Sequence, residues 1–320
     1  MAILAGIDEA GLGPLLGPLV VSGAAFRGLD DLPDLCLWDV LRDSCASSPA
    51  RSQRRVVVAD SKQLYRPRGS LAPLERTALV MLAAAGLRPA SWRELLEQIA
   101  PGACEPLAHY PWYRDRDIPL PLSAEVGDIA TKANAVRRDC RTHGIAFHGV
   151  FVEPLTAGAF NRMVHNTRNK SVVSLGLTLR VVDRLMRSAP NERVRLCLDR
   201  HGGRTHYREP LMTAWPTSTL EILEESPTRS AYRLVQSSRV VEIEFVTGGE
   251  ARYFPTALAS VYSKYVRELY MHAFNAFWSD ISPDLRPTAG YYTDARRWLC
   301  DADEELRRRS IDRNTLIRQR

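Results

Sequence analysis

The first ten residues read as a strand that delivers two carboxylates to a point where the chain reverses. The apolar run Ala2-Ile3-Leu4-Ala5-Gly6-Ile7 ends in Asp8 and Glu9, and the turn-rich string Ala10-Gly11-Leu12-Gly13-Pro14-Leu15-Leu16-Gly17-Pro18 follows at once. Successive side chains of a strand point to opposite faces, so adjacent acids reach one cation only through a local distortion at the strand end. The pair therefore predicts such a distortion and a hard-metal site. For an arbitrary Asp-Glu the duller reading is an acidic pair opening a surface hairpin. Gly11-x-Gly13 is followed by Leu16 where a third glycine would complete a dinucleotide fingerprint, which argues against that class. Residues without Cβ let backbone amides approach a phosphate or sugar beside a metal, or simply close a tight turn.

Later segments alternate strand and helix patterns. Strands are expected at 3–7, 19–26, 56–59, 145–152, 194–198 and 240–246, and helices at 71–85, 123–141, 172–186 and 256–277, with a C-terminal helix at 293–309. The strand at 194–198 ends in Asp199, and Gly202 and Gly203 supply the turn after it. This is an α/β pattern, with one mixed central sheet flanked by helices. Two stretches stand apart: 101–122, rich in proline and aromatics, reads as an ordered excursion or a lid, and the polar span 205–238 as an enlarged hairpin. Neither is long or apolar enough for a separate domain, so one elaborated domain over 1–320 is expected, with a helical C-terminal segment at about 278–320.

Hydrophobic content of 45% in 320 residues permits a sizeable core and argues against disorder. The six cysteines form no Cys-x-x-Cys pair, which suits free thiols in a reducing compartment. No leader pattern or membrane-length apolar run appears, so a soluble, cytoplasmic monomer with no membrane partner is expected. His201 and His206 flank the two glycines after Asp199, where an Asp-x-His arrangement can hold zinc or shuttle protons; a surface-loop role is the stronger reading. His-Glu-x-x-His, Gly-x-Ser-x-Gly and complete P-loop patterns are absent, which argues against zinc-protease, serine-hydrolase and nucleotidase readings.

The string from Gly6 to Val21, with Asp8-Glu9-Ala10-Gly11-Leu12-Gly13-Pro14 at its centre, resembles the opening of ribonuclease HII, the type 2 RNase H family. Three more pieces follow in the family's order: Asp60-Ser61-Lys62-Gln63-Leu64, Ala259-Ser260-Val261-Tyr262-Ser263-Lys264-Tyr265-Val266-Arg267-Glu268, and Gly290-Tyr291-Tyr292-Thr293-Asp294. The resemblance implies an RNase H-like fold with insertions and metal-binding acids at Asp8, Glu9 and Asp199. A fourth ligand falls on Glu250 when counted back from Ser260, and on Ala251 when counted back from Pro255; the serine register also aligns Lys264 and Glu268 and supplies a carboxylate. Leu12 stands where the family has an arginine facing the ribonucleotide, which leaves recognition of single embedded ribonucleotides open.

Such a cluster would hold Mg²⁺ or Mn²⁺, since phosphodiester hydrolysis needs an activated water and a stabilised leaving oxygen. The implied activity is cleavage of RNA in an RNA/DNA hybrid or ribonucleotide-containing duplex, leaving a 5'-phosphate and a 3'-hydroxyl. Gly11, Leu12, Gly13, Lys62, Ser260, Lys264 and Tyr291 are the expected substrate contacts: amides from the glycines, phosphate contacts from the lysines, a hydroxyl from Ser260 at a helix start, and stacking of Tyr291 on deoxyribose. Arg168, Asn169 and Lys170 form a weaker binding candidate.

A net charge of +6 suits a polyanionic partner. Arg286, Arg296, Arg297, Arg307, Arg308, Arg309, Arg313, Arg318 and Arg320 could track a phosphate backbone or merely solvate a helical face. Two alternatives stay open: a hybrid-binding relative with weak or lost cleavage, and a nuclease for another structured nucleic acid.

Overall fold

Alternation along the first strand decides what packs on each side of the sheet. In β1 (Ala2–Ala10), Ile3, Ala5 and Ile7 enter one apolar layer and Leu4 enters the other. Gly6 lies on the Leu4 side, where a Cβ would stand 2.0 Å from the Thr256 amide nitrogen, so a helix backbone rests directly on the strand. The structure, a computed structural model, describes residues 1–51, 54–66, 69–236 and 239–319; Arg320 and the last two residues of the span 205–238 lie outside them.

Six further strands complete the sheet: β2 (Leu19–Gly28), β3 (Ala146–Leu155), β4 (Arg193–Asp199), β5 (Thr219–Glu225), β6 (Arg229–Gln236) and β7 (Arg239–Val246). Their order is β3-β2-β1-β4-β7-β6-β5, with β1, β4 and β7 parallel to one another and β2 and β6 running against their neighbours. The chain thus forms the expected mixed central sheet flanked by helices. On the Leu4 face lie α1 (Ala72–Ala84), α2 (Val126–Thr142) and the long α5 (Phe254–Ile281); on the Ile3 face lie α3 (Ala157–Thr167) and α4 (Lys170–Ser188). Helix α5 is buried without interruption from Phe254 to Met271, because the sheet covers one side and the excursion covers another. Each large apolar side chain it buries is worth about 1.5–3 kcal/mol, which makes this helix the main anchor of the layer.

Four segments take a more definite form than the sequence implies. Only Val56–Val57 of the strand at 56–59 forms, and it pairs in parallel with Cys45–Ala46 outside the main sheet. The excursion is ordered and is no lid: Leu107, Tyr110, Trp112 and Tyr113 are buried, with Trp112 at 5.7 Å from Phe274 and Tyr113 at 5.1 Å from Tyr270 on α5. Its end is tied down by Glu75 of α1, whose carboxylate accepts from the amides of Leu122, Ser123 and Ala124 and from the Tyr265 hydroxyl. The span 205–238 is a hairpin, as expected, but one that adds β5 and β6 to the sheet after a short helix at Arg208–Ala214. The C-terminal helix divides into α6 (Tyr292–Asp301) and a shorter turn of helix at Asp303–Arg308.

Candidate active site

Parallel pairing brings distant acids to one edge of the sheet. Ile7 of β1 lies opposite Leu198 of β4, and Asp199 lies opposite Val246 of β7, so Asp8, Glu9, Asp199 and the turn after Val246 all leave the sheet at the same end. That turn passes through Gly248 at φ +69° and enters a short helix, Gly249–Arg252, which carries Glu250. The Gly249 amide donates to Asp199 Oδ1 at 3.0 Å. A Cβ on Gly249 would stand 3.3–3.4 Å from Thr256, Val246 and the Asp199 nitrogen, so the turn is packed close against the strand ends. The expected distortion of β1 does not occur: Asp8 pairs with Ser22, Glu9 with Val21 and Ala10 with Val20 in unbroken register. Regular antiparallel pairing to β2 continues past both acids to the end of the strand. Asp8 turns toward α5, where Ser260 lies close enough to its carboxyl to favour the ionised form and its carbonyl accepts from the Ser263 hydroxyl at 2.8 Å.

The acids feel one another strongly. Burial, then the charges of Glu9 and Asp199, hold Asp8 well above the usual carboxylate range. Burial and the charge of Asp199 push Glu9 up to about 7, with Glu250 adding to the rise and Lys62 opposing it. Glu250 is raised by burial and by Asp199 and Asp60. Each shift means that an ionised carboxylate is disfavoured until positive charge arrives. Lys62 supplies some: it is exposed, 3.8 Å from Asp60, and raised first by Asp60 and then by Glu250, Asp8 and Asp199. Asp60 is therefore a fifth acid at this edge, quoted in the sequence only as part of a motif.

The donor chemistry fits a hard divalent cation, since the set is all carboxylate and Glu250 Oε2 is buried without a hydrogen-bond partner. Among the described residues, however, no three His, Cys, Asp or Glu side chains form a group that could hold a metal ion. The acids are neighbours in charge, not a closed ligand set.

One face of α5 leads from the acids to Tyr291. Ser260 lies inside the helix, not at its start, with its hydroxyl donating to Ser61 Oγ at 3.0 Å. Lys264, one turn on, is buried and committed to Glu268 at 2.6 Å, with its ammonium 4.9 Å from the Tyr65 ring and 5.7 Å from the Tyr291 ring. Tyr291 is exposed, backed by the Arg267 guanidinium at 5.2 Å. It opens onto a groove of about 1140 Å³ between Tyr65, Glu268, Asn275, Arg286 and Asp294.

The glycine loop is built differently from the sequence reading. The bare faces of Gly11, Gly17 and Gly290 all turn toward buried Arg267, whose side-chain atoms would lie 2.9, 3.7 and 3.1 Å from a Cβ at those positions. Gly13 alone of the loop has open space there. Leu12 packs its side chain against the apolar layer of the Ile3 face.

Other candidates resolve into structure. His201 is buried; its Nε2 is 2.9 Å from Thr178 Oγ1, and burial lowers it to about 4, so it is no surface-loop residue. His206 is exposed, paired with Glu225. Asn169 caps α4 by accepting from the Ser171 and Val172 amides. Arg297, Arg307, Arg308, Arg309 and Arg313 pair with nearby acids at Asp294, Asp301, Asp303 and Glu305, the solvated-face reading of those positions. Arg318 is turned inward and buried, which sequence spacing did not signal.

No protein-family model and no curated protein matches the chain. Among solved structures it is similar to the PCNA:RNase HII complex from Archaeoglobus fulgidus, at 14% identity and TM-score 0.45 over 99% of this chain and 94% of that one. It is likewise similar to ribonuclease H2 from Pyrococcus horikoshii, at 15% and 0.46 over 98% and 92%. A third is Bst-RNase HIII in complex with Mn²⁺, at 14% and 0.44 over 99% and 66%. These likenesses are remote, and the functional case rests on the residues themselves. Among the described residues no helix is long and apolar enough to cross a membrane.

Proposed function

We propose that the chain is a divergent ribonuclease HII-like endonuclease that hydrolyses RNA in RNA/DNA hybrids with Mg²⁺ or Mn²⁺. The observation that carries this reading is the convergence of Asp8, Glu9, Asp199 and Glu250 at the shared end of three parallel strands, where three of the four are raised by burial and then by their neighbours' charges. Bound there by these four acids, divalent cations would supply an activated water and stabilise the leaving oxygen. The chain's own residues have separable tasks. Ser260 stands beside the Asp8 carboxyl and favours its ionised form, the Gly249 amide fixes Asp199, and Lys62 offers a cation at the rim. Tyr291, with two cations behind it, offers a face to a sugar.

A second reading, a hybrid binder with weak or lost cleavage, is favoured by the lack of a closed three-residue ligand group among the described residues. The two separate in a panel of hybrid, single-ribonucleotide duplex and all-DNA duplex, each with Mg²⁺ and with Mn²⁺ and with Asp8→Asn as control. Cutting of the hybrid that Asp8→Asn abolishes supports the nuclease. Tight binding without cutting in either ion supports the binder, and cutting of all-DNA duplex would point to another structured nucleic acid.

A further inference from the structure

We propose that Arg318 is a positioning residue for the substrate loop: the C-terminal segment, docked through its guanidinium, sets the direction of the Leu12 and Gly13 amides. The proposal rests on the reading of that loop as substrate-facing. Arg318 donates through Nη1 to the Gly11 carbonyl, through Nη2 to the Leu12 carbonyl at 3.0 Å, and through its backbone amide to the Leu15 carbonyl at 2.8 Å. A trans peptide points its C=O and the following N–H in opposite directions. With the carbonyls of Gly11 and Leu12 drawn toward the tail, the amides of Leu12 and Gly13 face away from it, and neither meets a backbone or side-chain acceptor among the described residues. Gly13 is also where the loop has open space. Two N–H groups are thus offered to an incoming phosphate or sugar oxygen.

The cation is an expensive choice for mere packing. Arg318 is 2% exposed and, among the described residues, finds no carboxylate and no partner for Nε; its guanidinium lies 4.2 Å from the Phe160 ring centre, and Arg267 adds a like charge nearby. The tail is anchored separately by Asn161, which donates to the carbonyls of Asn314 and Ile317 at 2.7 and 2.6 Å and accepts from the Gln319 amide at 2.7 Å. The loop passes its position on, because the Leu15 and Leu16 amides donate to the carbonyl of Gly290, the residue before Tyr291.

The test uses the full chain with Arg318→Met, Arg318→Lys and Asn161→Ala, first checked for an intact urea transition. In Arg318→Met the Leu15 and Leu16 amides should exchange with solvent at least about tenfold faster, while those of Leu196 and Leu198 in β4 keep their native rates. KM for the hybrid should rise about tenfold with kcat changed less than about threefold, and Arg318→Lys should recover part of the loss. Should Arg318→Met fail to fold, Asn161→Ala releases the tail with the guanidinium intact, and the same changes are expected. Unchanged exchange at Leu15 and Leu16 in a folded variant overturns the proposal, as does faster exchange with native KM. If the native protein binds hybrid without cutting, affinity takes the place of KM. If it neither binds nor cuts, the functional reading falls, and the exchange rates alone still decide whether Arg318 holds the loop.

Discussion

Glu9→Gln should make the metal-free protein more stable and less active at once. The shift of Glu9 from 4.5 to about 7 means that the folded state holds its carboxyl protonated where the unfolded chain would release the proton. The sign follows: the penalty is absent below the unfolded pKa, grows as pH rises, and is complete above about 7. At 1.36 kcal/mol per pKa unit it reaches about 3 kcal/mol, an upper value because Glu9 keeps a partly open edge to solvent. Glutamine cannot ionise, and removing the charge also relieves Asp8, which Glu9 pushes upward. Stabilities from urea unfolding in EDTA should therefore nearly coincide at about pH 4 and separate by about 1–3 kcal/mol at about pH 8, with the variant more stable. Added Mg²⁺ should narrow the gap by favouring the native carboxylate, while hybrid cleavage by the variant falls on the order of 100-fold or more. A variant no more stable than the native protein at the higher pH, or a gap equally wide at the lower one, would refute the electrostatic account of this edge.

Three further outcomes are expected. His201, lowered to about 4, contributes stability that is complete above about pH 6.5 and lost as pH falls through about 4, so His201→Gln should flatten that acid limb by up to about 3 kcal/mol in urea unfolding. Glu75→Gln keeps the shape but turns a pure acceptor partly into a donor facing three amides, and should lower stability by about 2–4 kcal/mol, read from the shift in denaturation midpoint. Tyr291→Ala should weaken hybrid binding about tenfold while Tyr292→Ala changes it less than about twofold, measured by titration of labelled duplex, because only Tyr291 is backed by Lys264 and Arg267.

Much of the sheet was legible because alternation is a local signal: β1, β2, β3, β4 and β7 each carry a run that can bury one or both faces. The hairpin of β5 and β6 was harder, since β5 is an exposed edge with glutamates at three of its seven positions. Resemblance, not periodicity, tied Asp199 and Glu250 to the N-terminal pair, since which parallel strands become neighbours depends on crossovers that local pattern does not encode. The regularity of β1 was misjudged because its partner β2 holds it straight past the acids. Lys264 and Arg318 read as surface cations; their burial follows from packing partners far away in the chain, Glu268 aside.

Two segments remote in sequence, the loop that carries Gly11 and Gly17 and the turn at Gly290, close around the side chain of Arg267, and each approaches it where a glycine leaves room. A methyl group at Gly11 or Gly290 would also strike a carbonyl, at 2.6 and 2.5 Å, so neither turn can yield alone. The glycine spelling of this region is thus demanded by the interior before any ligand arrives. Loss of whatever chemistry the acids perform would leave that requirement in place, and only the carboxylates at the strand ends would be free to drift.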